Sequence, residues 1–149
     1  MLSGKLVHLI ETHWDRIVAS VFEAIRREPE MEHLRVLPDG ELREWGDELL
    51  RNLGHWLAVG SSDDLARRYE LRGRLRFEQG IPLHESVRLL CVMREKTMDY
   101  VEEHIASNSS MELFAEEELE RRLSRFFDLL LIHLVRGYEG ALRRSMAAA

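Results

Sequence analysis

The seven histidines carry the most versatile chemistry in this chain, because imidazole serves as metal ligand, nucleophile and proton carrier near neutral pH. Glu30-Met31-Glu32-His33 has the Glu-x-x-His spacing that helical di-iron sites use. Such a site needs a second copy from a facing helix, and no other histidine follows a glutamate by three. His84-Glu85 lacks the second histidine of the zinc pattern His-Glu-x-x-His. Cys91 is the only cysteine, which excludes an intramolecular disulfide and a cysteine-cluster metal site. There is no Gly-rich phosphate loop, no serine nucleophile elbow and no convincing carboxylate pair. The sequence predicts no metal, no cofactor and no enzymatic activity.

His133-Leu134-Val135-Arg136-Gly137 is the segment with most chemical interest. It resembles the phosphoacceptor stretch of histidine phosphotransfer domains, where a surface histidine precedes a basic residue by three and a glycine by four. That chemistry needs an accessible imidazole, a cation for the phosphoryl charge and room for a docking partner. Here Tyr138 follows instead of a small residue, and the preceding turn is almost wholly apolar. Two readings stand: phosphotransfer through His133, or a histidine at the edge of a packed interface.

Arg94 extends the apolar stripe of Val87 and Leu90, and a buried arginine needs carboxylates or carbonyls for its five donors. Two readings stand for Arg94: structural pairing with such groups, or an anionic-ligand site. Cys91, between Leu90 and Val92, reads as a small buried hydrophobe. Trp14, Trp45 and Phe77 are either plain core or the lining of a pocket between helices.

The elements that must position these residues are all helical. Leu6 to Ile25 keeps a helical period and predicts one long helix ending near Glu28, before Pro29. A second helix, capped by Asp39, carries Leu42, Trp45, Leu49, Leu53 and Trp56. Gly60-Ser61-Ser62 breaks it, and Ser61 with Asp64 resembles a capping box for a third helix over Asp63 to Gln79. Gly80-Ile81-Pro82 then forms a corner: glycine takes the left-handed position that ends a helix, and proline suits the start of the next. The fourth helix follows with Leu83, Val87, Leu90, Cys91, Met98, Val101 and Ile105 on one face. After Asn108, Ser109 and Glu112 suggest another capping box for a last helix from Met111 to about Met146. No strand pattern appears, so residues 1–149 read as one all-α domain of about five main helices.

In the last helix, Phe126 to Val135 is apolar except for Asp128 and His133. A second apolar face asks for a partner, and Phe127, Leu131, Leu134 and Tyr138 fit a short heptad-like seam. The expectation is a homodimer through this helix, which would carry a signal to a downstream effector. The net charge of −6 argues against nucleic acid, and the arginines are spread rather than clustered. No apolar run approaches the ~20 residues of a membrane span, and His8, Glu11, Asp15 and Arg16 interrupt any signal-peptide core. A cytoplasmic location is expected.

The segment Arg76-x-x-x-Gly80-Ile81-Pro82-Leu83-x-Glu85-x-Val87, continuing to Leu90 and Met93-Arg94, resembles the N-terminal sensor domain of RsbR-type proteins. This is the RsbT co-antagonist family of the bacterial stressosome, whose N-terminal module also precedes histidine kinases. The resemblance extends loosely over Trp14, Leu37-Pro38 and the long last helix. It implies a globin-like, dimeric, non-enzymatic signalling domain without haem, acting with protein signalling partners. It also makes Gly80 and Pro82 structural, with Arg76 and Arg94 as helix anchors. Asp63 to Pro82, where a globin-like fold would carry its iron ligand, contains no histidine, which disfavours the alternative of a haem-binding globin-coupled sensor.

Overall fold

Each apolar stripe in the sequence becomes a helix packed on a common core, and no strand occurs among the described residues. The computed structural model describes residues 4–59, 63–105 and 109–149. The helices are α1 (Gly4–Thr12), α2 (Trp14–Arg27), α3 (Asp39–Leu50), α4 (Leu53–Val59), α5 (Asp63–Glu78), α6 (Leu83–His104) and α7 (Ser110–Ala148). Two short 3-10 turns, Pro29–Met31 and Leu34–Val36, link α2 to α3. The all-α class and the long C-terminal helix agree with the sequence reading. The breaks expected at Gly60-Ser61-Ser62 and Asn108, with the Ser61 cap, lie outside the described residues.

Two expected helices are divided. The first breaks at His13, whose backbone leaves helical geometry (φ −113°, ψ 25°) while its carbonyl still accepts from Arg16 and Ile17. The second breaks at Arg51-Asn52, where the Glu48 carbonyl accepts from both Asn52 Nδ2 and Trp56 Nε1, each at 3.1 Å. Side chains thereby satisfy a carbonyl at the helix end. The start of α4 is bonded by another helix: Glu11 Oε2 accepts from Gly54 N at 2.9 Å. Pro38, not Asp39, occupies the N-cap position of α3, and Asp39 lies in its first turn.

α6 packs against α1, α2 and α7, while α5 packs along α7. Its buried face comprises Glu85, Ser86, Leu89, Leu90, Val92, Met93, Thr97, Met98 and Val101. Leu83, Val87, Cys91 and Ile105, expected on that face, are only half-buried. Ser109 Oγ accepts from Glu112 N at 3.2 Å and caps α7, as its spacing predicts.

Candidate functional site: the helix corner and the C-terminal helix

α5 ends in a Schellman arrangement. Gly80 has φ +73°, Gly80 N donates to Phe77 O and Ile81 N donates to Arg76 O, both at 3.0 Å. The left-handed position costs glycine nothing and any other residue strain. Ile81 then buries its side chain, and Pro82 caps α6, its carbonyl accepting from Glu85 N at 3.1 Å. Gly80 and Pro82 thus form the turn between α5 and α6.

Polar residues on both sides of this corner tie it to its neighbours. Arg76 is buried; its Nη1 donates to Glu41 Oε1 on α3 at 3.1 Å and to Gln79 Oε1 at 2.8 Å. Burial pulls its guanidinium pKa down, and the adjacent Glu41 charge partly offsets this. Glu85 is fully buried: Oε1 accepts from the backbone N–H groups of His33 and Leu34 at 3.0 Å, and Oε2 lies 2.6 Å from His33 Nδ1. One turn later, Arg88 reaches Glu28 through Nε and Nη2, the shorter contact being 2.7 Å. The Arg88 hydrogen bond holds the Glu28 carboxyl below the usual range. Arg94 departs from expectation. It is half-buried beside the stripe, and no hydrogen bond or ion pair joins it to another described residue.

Sequence reasoning missed the bracing roles of Glu85 and Arg88. His33, whose Glu-x-x-His spacing lacked the second copy a di-iron site needs, lies with Nδ1 against Glu85. Among the described residues no group of three or more His, Cys, Asp or Glu could hold a metal ion.

The aromatic residues named as pocket lining each have their own partner. Trp45 is buried and its Nε1 donates to Tyr69 Oη at 2.8 Å, with Arg72 beside both rings. Desolvation raises the Tyr69 pKa well above its ordinary value. Trp14 is half-buried under Arg43, and Phe77 meets Tyr138 edge to face at 5.4 Å.

α7 has 39 residues, which is about 58 Å of helix. Two of the four seam residues belong to the chain's own core: Phe127 is 1% exposed and Leu134 3%. This corrects their assignment to an intermolecular seam, since a residue buried in the chain's own core has no surface to offer. Leu131 and Tyr138 are half-buried, and the exposed apolar residues nearby are Ile132, Leu142 and Met146. His133 keeps 19% of its side chain in solvent and places Nδ1 2.9 Å from Glu70 Oε2 on α5. It sits at the edge of a packed interface.

Gly137, read from sequence as part of a phosphoacceptor-like segment, meets the α5 backbone. A Cβ there would overlap the Glu70 carbonyl oxygen and lie 2.6 Å from its carbon. Gly73 is its counterpart: a Cβ would overlap the Leu134 carbonyl oxygen and lie 2.8 Å from Tyr138 N. The two glycines let α5 and α7 cross backbone to backbone.

The described polar groups thus hold helices together around a corner and a crossing. Residues 15–149 match the family described as the RsbT co-antagonist protein rsbRD N-terminal domain, and the chain belongs to that family. It is a regulatory domain of stress signalling, as the Arg76–Arg94 motif implies. No curated protein and no solved structure matches the chain. Among the described residues no helix is long and apolar enough to cross a membrane.

Proposed function

We propose that this domain is a non-enzymatic, cytoplasmic dimerisation module of bacterial stress or two-component signalling, globin-like but free of haem, and read out through α7. The observation that carries this reading is an apolar groove of about 390 Å³ between α6 and α7, lined by Val87, Leu131, Ile132, Val135, Arg136 and Glu139. A second copy of the chain fits it best. In a two-fold pair the same patch meets itself, and the rim carries one charge of each sign, Arg136 and Glu139. The apolar floor between them supplies the burial.

α7 stays helical beyond Ala141, its last buried residue. Paired helices of this kind give a downstream effector a rigid lever. The absence of haem is supported by α5, which has no histidine, and by the exposure of His84 just past the corner.

Light scattering on the eluting protein tests the reading. The unmodified chain is expected as a dimer at micromolar concentration. Ile132→Glu and Val135→Glu should give monomers with unchanged helical circular dichroism, because neither residue is in the buried core. A monomeric unmodified chain, or variants that stay dimeric, would remove the support.

A further inference from the structure

Next to the apolar groove along α7 lies a second groove, of about 420 Å³, lined by residues of α5 and α7 beside their glycine crossing. Its lining is Glu70, Leu71, Arg74, Arg136, Gly137, Gly140 and Arg144. Three arginines from two helices line one small concavity, in a chain whose net charge is −6. The spacing on α7 produces this: Arg136, Gly140 and Arg144 recur every four residues and so lie along one stripe of the helix. Gly140 leaves the floor open, since a Cβ added there would meet only Arg144 Nη1, at 3.6 Å.

Two of the three arginines are unengaged, and the third is paired through Nε alone. No hydrogen bond or ion pair joins Arg136 or Arg144 to another described residue. Arg74 uses Nε on Glu78 at 3.0 Å. Glu70, the acid in the lining, has Oε2 on His133 Nδ1 at 2.9 Å. Arginine forks match the geometry of phosphate-class oxyanions, and their hydrogen bonds to such anions are charge-assisted.

We infer that this groove is a binding site for a small free oxyanion of the phosphate class, held by Arg136 and Arg144 of α7 with Arg74 of α5. An extended anionic surface is a poor fit, because the overall negative charge of the chain repels it while a small anion enters a local positive well. Arg136 stands on the ridge between the two grooves and lines both. An anion that draws its guanidinium across α7 takes a charge from the rim of the pairing face. That consequence rests on the dimer reading; the site itself does not.

The test is calorimetric titration of the full chain with inorganic pyrophosphate, at constant ionic strength. Saturable binding of one anion per chain is expected. Arg136→Gln and Arg144→Gln should each weaken it about tenfold, the loss of one charge-assisted contact. Arg143→Gln removes the same charge from the adjacent position outside the groove and should leave affinity within about twofold of the unmodified chain. No saturable binding, no effect of the Arg136 and Arg144 changes, or an equal loss in Arg143→Gln would each overturn the site. Because the titration reads the anion directly, a monomeric protein that still binds pyrophosphate sinks the dimer reading alone.

Discussion

Replacing Gly137 by alanine is the sharpest perturbation that the fold offers. The new Cβ would overlap the Glu70 carbonyl oxygen and stand 2.6 Å from its carbon and 2.7 Å from its Cα, where ordinary contact begins at 3.4 Å. All three atoms are backbone, so no side chain can rotate away, and α5 and α7 must part by about 1 Å. That movement loosens the contacts of Phe127, Leu130 and Leu134, which are buried in the common core. Overpacking of this kind costs about 3 kcal/mol, and the better helix propensity of alanine returns about 1 kcal/mol. The net loss of about 2 kcal/mol corresponds to a fall in Tm of roughly 4–8 °C for a chain of this size. Thermal unfolding followed by circular dichroism measures it. Gly140→Ala is the internal control: the same substitution on the same helix meets only a flexible arginine tip, so it should raise stability by up to about 1 kcal/mol. Equal Tm values for the two variants would refute the close crossing.

Three further outcomes follow from the polar braces. Arg76→Met leaves Glu41 with only the Gln79 amide, and because Glu41 is partly solvated the loss in chemical denaturation should be about 2–3 kcal/mol. Arg88→Gln tests the depressed Glu28 carboxyl. A lowered folded pKa gives stability above the ordinary glutamate range and loses it on acidification, so the gap to the unmodified chain, below about 1 kcal/mol for so exposed a pair, should close below about pH 4. Tyr69 has the opposite sign: its raised folded pKa favours the fold below about pH 10, and that contribution declines as pH rises further. In an alkaline absorbance titration Tyr69 should therefore ionise only with unfolding, and a full tyrosine count titrating in the folded state would contradict its burial.

Sequence made the corner and the termini of the long helices legible because those signals are local. Gly80, Pro82, Pro29 and Ser109 act on backbone within a few residues of themselves. The break at Arg51-Asn52 escaped because the apolar period runs through it, and its cause is an indole reaching back to Glu48 from Trp56. Glu85 escaped for a deeper reason. Periodicity counts a carboxylate as outward-facing, yet this one is buried because two backbone N–H groups of a turn some fifty residues earlier need an acceptor. Phe127 and Leu134 show the limit of heptad spacing, which is the same for a helix buried in its own core as for one facing a partner. Gly137 shows how one spacing admits two readings: in a histidine, arginine and glycine segment, the histidine meets Glu70 of α5 and the glycine is required by the neighbouring backbone.

The corner motif becomes intelligible as a set of tie points. Arg76, four residues before Gly80, holds the start of α3 through Glu41; Glu85 and Arg88, just after Pro82, hold the irregular connector after α2 at Leu34, His33 and Glu28. Each tie spans elements distant in sequence, so the fold itself accounts for the polar residues there. The same helix that enters the corner crosses α7 at Gly73 and Gly137 with backbone against backbone. Side chains cushion most helix contacts, since their rotamers absorb small shifts; a glycine crossing has no such cushion. In the proposed reading, a displacement of the corner or of its ties therefore reaches α7 through a backbone-to-backbone contact, on the helix that lines both the pairing groove and the arginine groove.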